Sequence, residues 1–171
     1  VNSPFSVLQR EDFKPDFEGE VTGGANIDIG GGATLGLLGV VGYDSSIRTR
    51  HAQRQYVVGD VVQKDFDVTK TSWDIVFNAF GSASVGWGDQ SVTMTGLLVR
   101  STTKDAEMSV GDDASHPIDV PDGVLKESTA WYERQLASLQ FAGEHRFGAF
   151  DLDWRTARSE EHTSELQSHH P

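Results

Sequence analysis

Between Trp73 and Trp87 the chain reads WDIVFNAFGSASVGW. Its odd positions, Trp73, Ile75, Phe77, Ala79, Gly81, Ala83, Val85 and Trp87, are all apolar or glycine. The even positions, Asp74, Val76, Asn78, Phe80, Ser82, Ser84 and Gly86, are mostly small or polar. A strict period of two predicts a strand with one apolar face. The length of the pattern is the stronger constraint. Strands of soluble proteins usually run about five or six residues. A tilted membrane-crossing strand needs about nine to eleven, with aromatic side chains where it leaves the hydrocarbon. A tryptophan at each end of one apolar face fits the second case.

The same alternation recurs on either side. From Phe17, the residues Phe17, Gly19, Val21, Gly23, Ala25, Ile27 and Ile29 alternate with Glu18, Glu20, Thr22, Gly24, Asn26 and Asp28. Gly30, Gly31 and Gly32 predict a tight turn, and a second strand follows through Ala33, Leu35, Leu37, Gly39, Val41, Tyr43 and Ile47. Arg48–Asp67 is long, polar and charged and reads as a loop. After Trp87, Gly88-Asp89 is a short turn, and Ser91–Ser101 returns with Val92, Met94, Gly96 and Leu98 on one side. Lys104–Lys126, with Pro117 and Pro121, reads as a second long acidic loop. Ser128–Phe147 carries good helix formers, yet Ala137, Leu139, Phe141, Gly143 and Phe147 alternate, which favours strand. A short turn around Gly148-Ala149 leads to Phe150, Leu152, Trp154 and Thr156. Val1–Asp16, with Pro4 and Pro15, reads as an irregular entry. Short turns alternating with long loops are the pattern of outer-membrane barrels.

Bulk properties narrow the classes. The 171 residues suit one domain. With 37% apolar residues and a mean hydropathy of −0.39, no segment suits a membrane-spanning helix, because residues 33–43, the most apolar run, fall well short of about 20 residues. A barrel stays open, since only alternate residues of its strands face lipid. There is no cysteine, hence no disulfide or cysteine-based metal site. The formal charge of −12 argues against nucleic acid as a partner. Val1 opens on no signal peptide and no methionine, which predicts a mature form or a piece of a longer protein.

Residues 158–171, RSEEHTSELQSHHP, break the alternation. Arg158–His169 resemble the conceptual translation of a common sequencing adapter. The expected organisation is therefore a partial barrel domain over 1–157 and a non-native, disordered tail over 158–171.

No constellation points to catalysis. The glycines at 23–24 and 30–32 precede no helix and no Gly-Lys-Ser/Thr, so a phosphate loop gives way to turn and wall glycines. Asp112, Asp113, Asp119 and Asp122 match no EF-hand spacing and read as a solvated loop. Asp151 and Asp153 share a strand face but read as lumen-lining residues. Nothing marks an activated nucleophile. His162, His169 and His170 fall in the tail, and a metal reading is set aside. Arg48, Arg50 and Arg54 could meet an anionic ligand or lipid phosphate, although a solvated loop accounts for them. The chain is expected not to be an enzyme, with no cofactor or metal.

Three runs carry a family resemblance: GEVTGGANIDIGGGATLGLLGVVGYDSSIRTR (Gly19–Arg50), WDIVFNAFGSASVGWGDQSVTMTGLLVRSTTKD (Trp73–Asp105) and ERQLASLQFAGEHRFGAFDLDWRTA (Glu133–Ala157). Together they resemble the barrel strands of TonB-dependent outer-membrane receptors of Gram-negative bacteria, over most of Phe5–Ala157. The resemblance implies location in the cell outer membrane, contact with its lipid, and a barrel of about 22 strands around a plug domain. It further implies coupling to the TonB energy-transducing complex and uptake of a small nutrient such as a ferric siderophore. No plug or coupling segment is visible in this sequence, so this piece is expected not to transport by itself.

The expected fold is all-β: about six antiparallel up-and-down strands in an open curved sheet forming part of a transmembrane β-barrel. Val21, Ile27, Leu35, Leu37, Val41, Ile75, Phe77 and Val85 would face lipid. Glu18, Glu20, Asn26, Asp28, Asp74, Asn78, Gln140 and Glu144 would line the lumen. Trp73, Trp87, Tyr43 and Trp154 would be the membrane-interface aromatics, and Arg48–Asp67 and Lys104–Lys126 the ligand-facing loops. The alternatives are a passive porin or structural outer-membrane protein, and a soluble antiparallel β-domain that binds a partner.

Overall fold

The computed structural model describes residues 15–114 and 123–170, with the backbone alone over 168–170. It is all-β. Six strands, β1 (Phe17–Gly30), β2 (Ala33–Val58), β3 (Val61–Trp87), β4 (Gln90–Asp113), β5 (Val124–Phe147) and β6 (Phe150–His170), pair in sequence order. Every pairing is antiparallel, and among the described residues β1 and β6 each pair on one side only, so the sheet they form is open.

Four two-residue turns set the register. Gly31 and Gly32 both have positive φ, 66° and 77°, the type I′ requirement. The turns Gly59-Asp60, Gly88-Asp89 and Gly148-Ala149 place a positive-φ glycine first, at 62°, 55° and 62°, and a negative-φ residue second. That is the type II′ arrangement, whose twist matches the flanking strands.

Three expectations are corrected. Arg48–Asp67 is no loop: β2 runs on to Val58, turns at Gly59-Asp60, and β3 starts at Val61. Nor is the first part of Lys104–Lys126 a loop, because β4 continues to Asp113. The reason is the same in both. Outside an apolar environment neither face of a strand has to be apolar, so backbone pairing persists where the period-two signal fades. Third, 158–170, expected to be disordered, extends β6 along β5 through the pairs Leu139–Arg158 and Glu127–His170. An unpaired strand edge accepts backbone partners almost regardless of their side chains. The ambiguous segment Ser128–Phe147 is strand, within β5. Pro117, Pro121 and most of Val1–Asp16 lie outside the described residues.

A single sheet has no interior. The accessible surface is 12820 Å², against about 8,300 Å² for a compact monomer of 18.7 kDa. Among the described residues the buried apolar side chains are Phe66 and Val68. Val21, Leu37, Val41, Met94, Leu139 and Leu152 stand exposed.

Candidate functional site

Residues paired directly across the ladder share a face, so the register sorts the sheet into two surfaces. One carries Val21, Val41, Ala79 and Leu98 in one row and Ile27, Leu35, Val85 and Val92 in another. All eight residues expected to be lipid-facing fall on this apolar face. The other face carries Glu18 opposite Asp44, Asn78 opposite Gly42, and Glu144 opposite Asp153. All eight expected lumen residues fall there, and Thr103 Oγ1 donates to Asp74 Oδ1 at 2.7 Å on that face.

The two faces differ in space as well as polarity. On the polar face, a Cβ on Gly42 would run into the Asn78 side chain, and one on Gly36 would lie 2.7 Å from Ser84 Oγ and 3.2 Å from Asn26 Oδ1. On the apolar face, Gly23, Gly39, Gly81 and Gly96 form one unbroken row, and a Cβ there would meet nothing closer than 4.0 Å. The difference belongs to the middle of the β1–β4 ladder; at Gly143, on the apolar face, Trp154 fills the space instead. The glycine row floors a shallow groove of about 450 Å³ lined by Leu37, Ala83, Met94 and Leu139 among others. None of the residues lining it carries an acidic or basic side chain.

Aromatic rows bound the apolar stretch of β3. Trp73 and Trp87 are 14 residues apart on one face, about 46 Å along the strand. At a tilt of about 45° this projects to about 33 Å, longer than the apolar band of about 25 Å of outer-membrane barrels.

At the Trp87 end, Gln90 pairs with Trp87 and with His145, and His145 pairs with Leu152. Trp154 Nε1 donates to His145 Nε2 at 3.1 Å, and the two rings stack at 6.5 Å. An indole N–H can only donate, so Nε2 accepts and the imidazole proton resides on Nδ1. Nδ1 then donates to Gln90 Oε1 at 2.6 Å, and Gln90 Nε2 donates to the Arg146 carbonyl at 3.0 Å. Trp154 also lies over Gly143, in the space of its missing Cβ. Both His145 ring nitrogens and the Trp154 indole N–H are satisfied within the sheet.

At the other end, Trp73, Lys104 and Trp131 stand side by side on β3, β4 and β5. Lys104 Nζ lies 5.0 Å from the Trp73 ring and 4.7 Å from the Trp131 ring. Trp73 Nε1 donates to Ser45 Oγ at 2.9 Å. Tyr43 sits further in, opposite Phe77 and 6.1 Å from the Phe17 ring. Arg100, also on this face, pairs with Glu133 at 2.9 Å.

Beyond Trp73 both faces turn polar. On the apolar-face side, Thr49 meets Thr71, His51 meets Thr69, and Gln53 and Gln55 donate to Asp65. On the other side the carboxylates of β4 are answered by cations: Lys70–Asp105 at 2.9 Å, Arg54–Glu107 at 3.3 Å and Lys64–Asp113 at 2.9 Å. Lys126 reaches the same Asp113 oxygen at 3.4 Å and lies 4.5 Å over the Phe66 ring. The Asp113 side chain is 1% exposed while its lysines are 40% and 44% exposed. Burial works to raise the Asp105 carboxyl, but the hydrogen bonds from Lys70 and Ser72 and the Lys70 charge outweigh it and hold the group below the usual aspartate value. Among the described residues Arg48 and Arg50, on the same surface, make no ion pair.

Other combinations stay apart. Asp112 and Asp113 are consecutive strand residues on opposite faces, and Asp119 and Asp122 lie outside the described residues. Asp151 accepts from Arg146 Nε at 2.9 Å, whereas Asp153 stands opposite Glu144. His162 contacts Ser164 within the tail, and the side chains of His169 and His170 are not described. Among the described residues no three His, Asp or Glu side chains converge as a metal site requires.

Sequence reasoning missed Trp131, Lys104, Gln90 and His145. Carrying the alternation of Ala137, Leu139 and Phe141 back by twos reaches Trp131, and carrying it forward reaches His145. Lys104 and Gln90 become visible only through cross-strand register, which the sequence does not state.

No family model matches this chain, and no curated protein does. Among solved structures, a cryo-EM structure of the membrane pore complex of pneumolysin aligns at a TM-score of 0.17 and 6% identity, over 90% of this chain and 31% of that one. A likeness that slight carries no argument about fold or function.

Proposed function

We propose that this chain is part of the wall of an outer-membrane β-barrel of the TonB-dependent receptor type. The observation that carries the proposal is the register of the sheet: apolar residues fill one face in rows from Val21 to Leu98 and from Ile27 to Val92, bounded on β3 by Trp73 and Trp87 and interrupted by the Arg100–Glu133 pair, while the other face carries Glu18, Asp74, Asn78 and Glu144 beside Val40, Phe80 and Leu97. Lipid on the first face and a water-filled lumen on the second would satisfy both. A soluble β-domain covers its apolar face with a second layer or by closure. Lipid would cover the apolar face as a second layer does in a soluble domain.

In the parent receptor, the strands beyond Trp73 would rise clear of the bilayer. Arg48 and Arg50, together with the Lys64–Asp113–Lys126 cluster, would face the nutrient at the outer mouth, and the barrel would admit it. The chemistry asked of the wall is exclusion and recognition, with no bond made or broken. A passive porin shares the same wall physics and is the second reading.

Cell fractionation tests the wall. The protein should sediment with outer membranes and resist extraction by urea or alkaline carbonate; recovery in the aqueous phase without detergent would refute it. Uptake assays separate the two barrel readings, since transport that survives collapse of the proton-motive force would favour the porin.

A further inference from the structure

The two aromatic rows differ in one respect. At the Trp87 end, Gln90, His145 and Trp154 satisfy one another and close on the Arg146 carbonyl. At the Trp73 end, Lys104 brings a full positive charge onto the apolar face between two indoles, and among the described residues it makes no ion pair. Its neighbour Arg100 is already matched by Glu133. Ring faces attract an ammonium but accept none of its directional hydrogen bonds as strongly as an oxygen would. Two ring contacts leave the ammonium's hydrogen-bonding capacity unused by oxygen acceptors. In a chain of net charge −12, a lysine with no carboxylate partner among the described residues is available to an external anion.

Its position selects the anion. Lys104 lies in the row where the apolar face of β3 ends, outward of the Arg100–Glu133 pair on the same face, with Ile47, Trp73 and Trp131 beside it and Thr49, Thr71 and Ala106 in the next row outward. In a membrane wall that row meets the headgroups, where tryptophan and lysine anchor and phosphate oxygens are the abundant acceptors. We propose that the Trp73–Lys104–Trp131 row seats the phosphate of an anionic lipid headgroup at this rim of the sheet. The inference rests on the membrane-wall reading above and adds a lipid-specific contact to it.

The test uses the intact protein reconstituted in vesicles of phosphatidylcholine with increasing fractions of either brominated phosphatidylcholine or brominated phosphatidic acid. Bromine quenches tryptophan fluorescence on contact, so the ratio of the two quenching curves reports relative lipid affinity at the protein surface. We expect phosphatidic acid to be enriched about fivefold, the effect of one lysine at an anionic surface. The enrichment should vanish in Lys104→Gln, persist in Lys104→Arg, and be unchanged in Lys126→Gln, which alters the polar face. Inorganic phosphate at millimolar concentration should leave it intact; displacement would assign the site to free phosphate and overturn the lipid assignment. Equal quenching by both lipids, or enrichment surviving in Lys104→Gln, overturns the inference while leaving the wall in place. Absence of quenching by either lipid removes the wall itself, and this inference with it.

Discussion

Gly42 faces Asn78 across the β2–β3 ladder, and the Asn78 side chain occupies the space a Cβ on Gly42 would need. The same two strands bring Gly39 and Gly81 together on the opposite face, where a Cβ meets only open space. Gly42→Val should therefore destabilise the sheet by about 1–3 kcal/mol through overpacking. Gly81→Ala should leave it near wild type. Urea unfolding of the two variants in vesicles, followed by tryptophan fluorescence, gives both numbers; equal effects would mean that the faces are not differently crowded.

Charge placed on the two faces of β3 should behave unequally. Ala83 lies midway along the apolar stretch and Ser82 beside it on the polar face. Ala83→Lys should cost about 2–4 kcal/mol in a bilayer, and Ser82→Lys far less. The same unfolding titration checks this, and a reversed order would place lipid on the wrong side.

The ion pair between Lys70 and Asp105 predicts a pH dependence. The folded-state value of Asp105 is depressed, so its contribution is present above the unfolded aspartate value of about 3.9. It is lost as pH falls through the lower folded value. Melting temperature measured from pH 7 down to pH 3 should fall less steeply at the acid end in Asp105→Asn than in wild type. Parallel acid limbs would show that the pair adds nothing.

At Gly59, φ is +62°, a region that costs an L-residue with a side chain roughly 1–2 kcal/mol. Gly59→Val should weaken the β2–β3 hairpin and open it to protease near residues 57–62, whereas Gly59→Asn should be milder because asparagine tolerates that region. Limited proteolysis followed by mass mapping reads the difference.

How much of this fold the sequence made legible depends on where an apolar surface enforces alternation. Ala33–Ile47 and Trp73–Trp87 keep one face apolar, and their residues declare the strands and the face of each side chain. From Arg48 onward neither face has that obligation, as the threonines, glutamines and charged pairs there show, and the strand loses its period-two signature. The turn was nevertheless written in the chain: Gly59-Asp60 repeats the Gly-Asp pair that marks the turn at 88–89, and Val57-Val58 and Val61-Val62 flank it. The contact of Lys104 with two indoles was not legible, since only the register places Trp73 and Trp131 on either side of it. In β6 the apolar face fails after Thr156: Arg158 stands opposite Leu139 and Glu160 opposite Ala137. Backbone pairing continues there without side-chain agreement.

Spin-label accessibility along β3 tests the membrane-wall reading most directly. Nitroxides placed singly at 75, 79 and 83, and at 74, 78 and 82, in the intact protein in phosphatidylcholine vesicles report exposure to oxygen, which concentrates in lipid, and to a water-soluble nickel chelate. The account predicts oxygen access at the odd positions and nickel access at the even ones, with a period of two. Nickel access at all six positions, or oxygen access without that period, would contradict it.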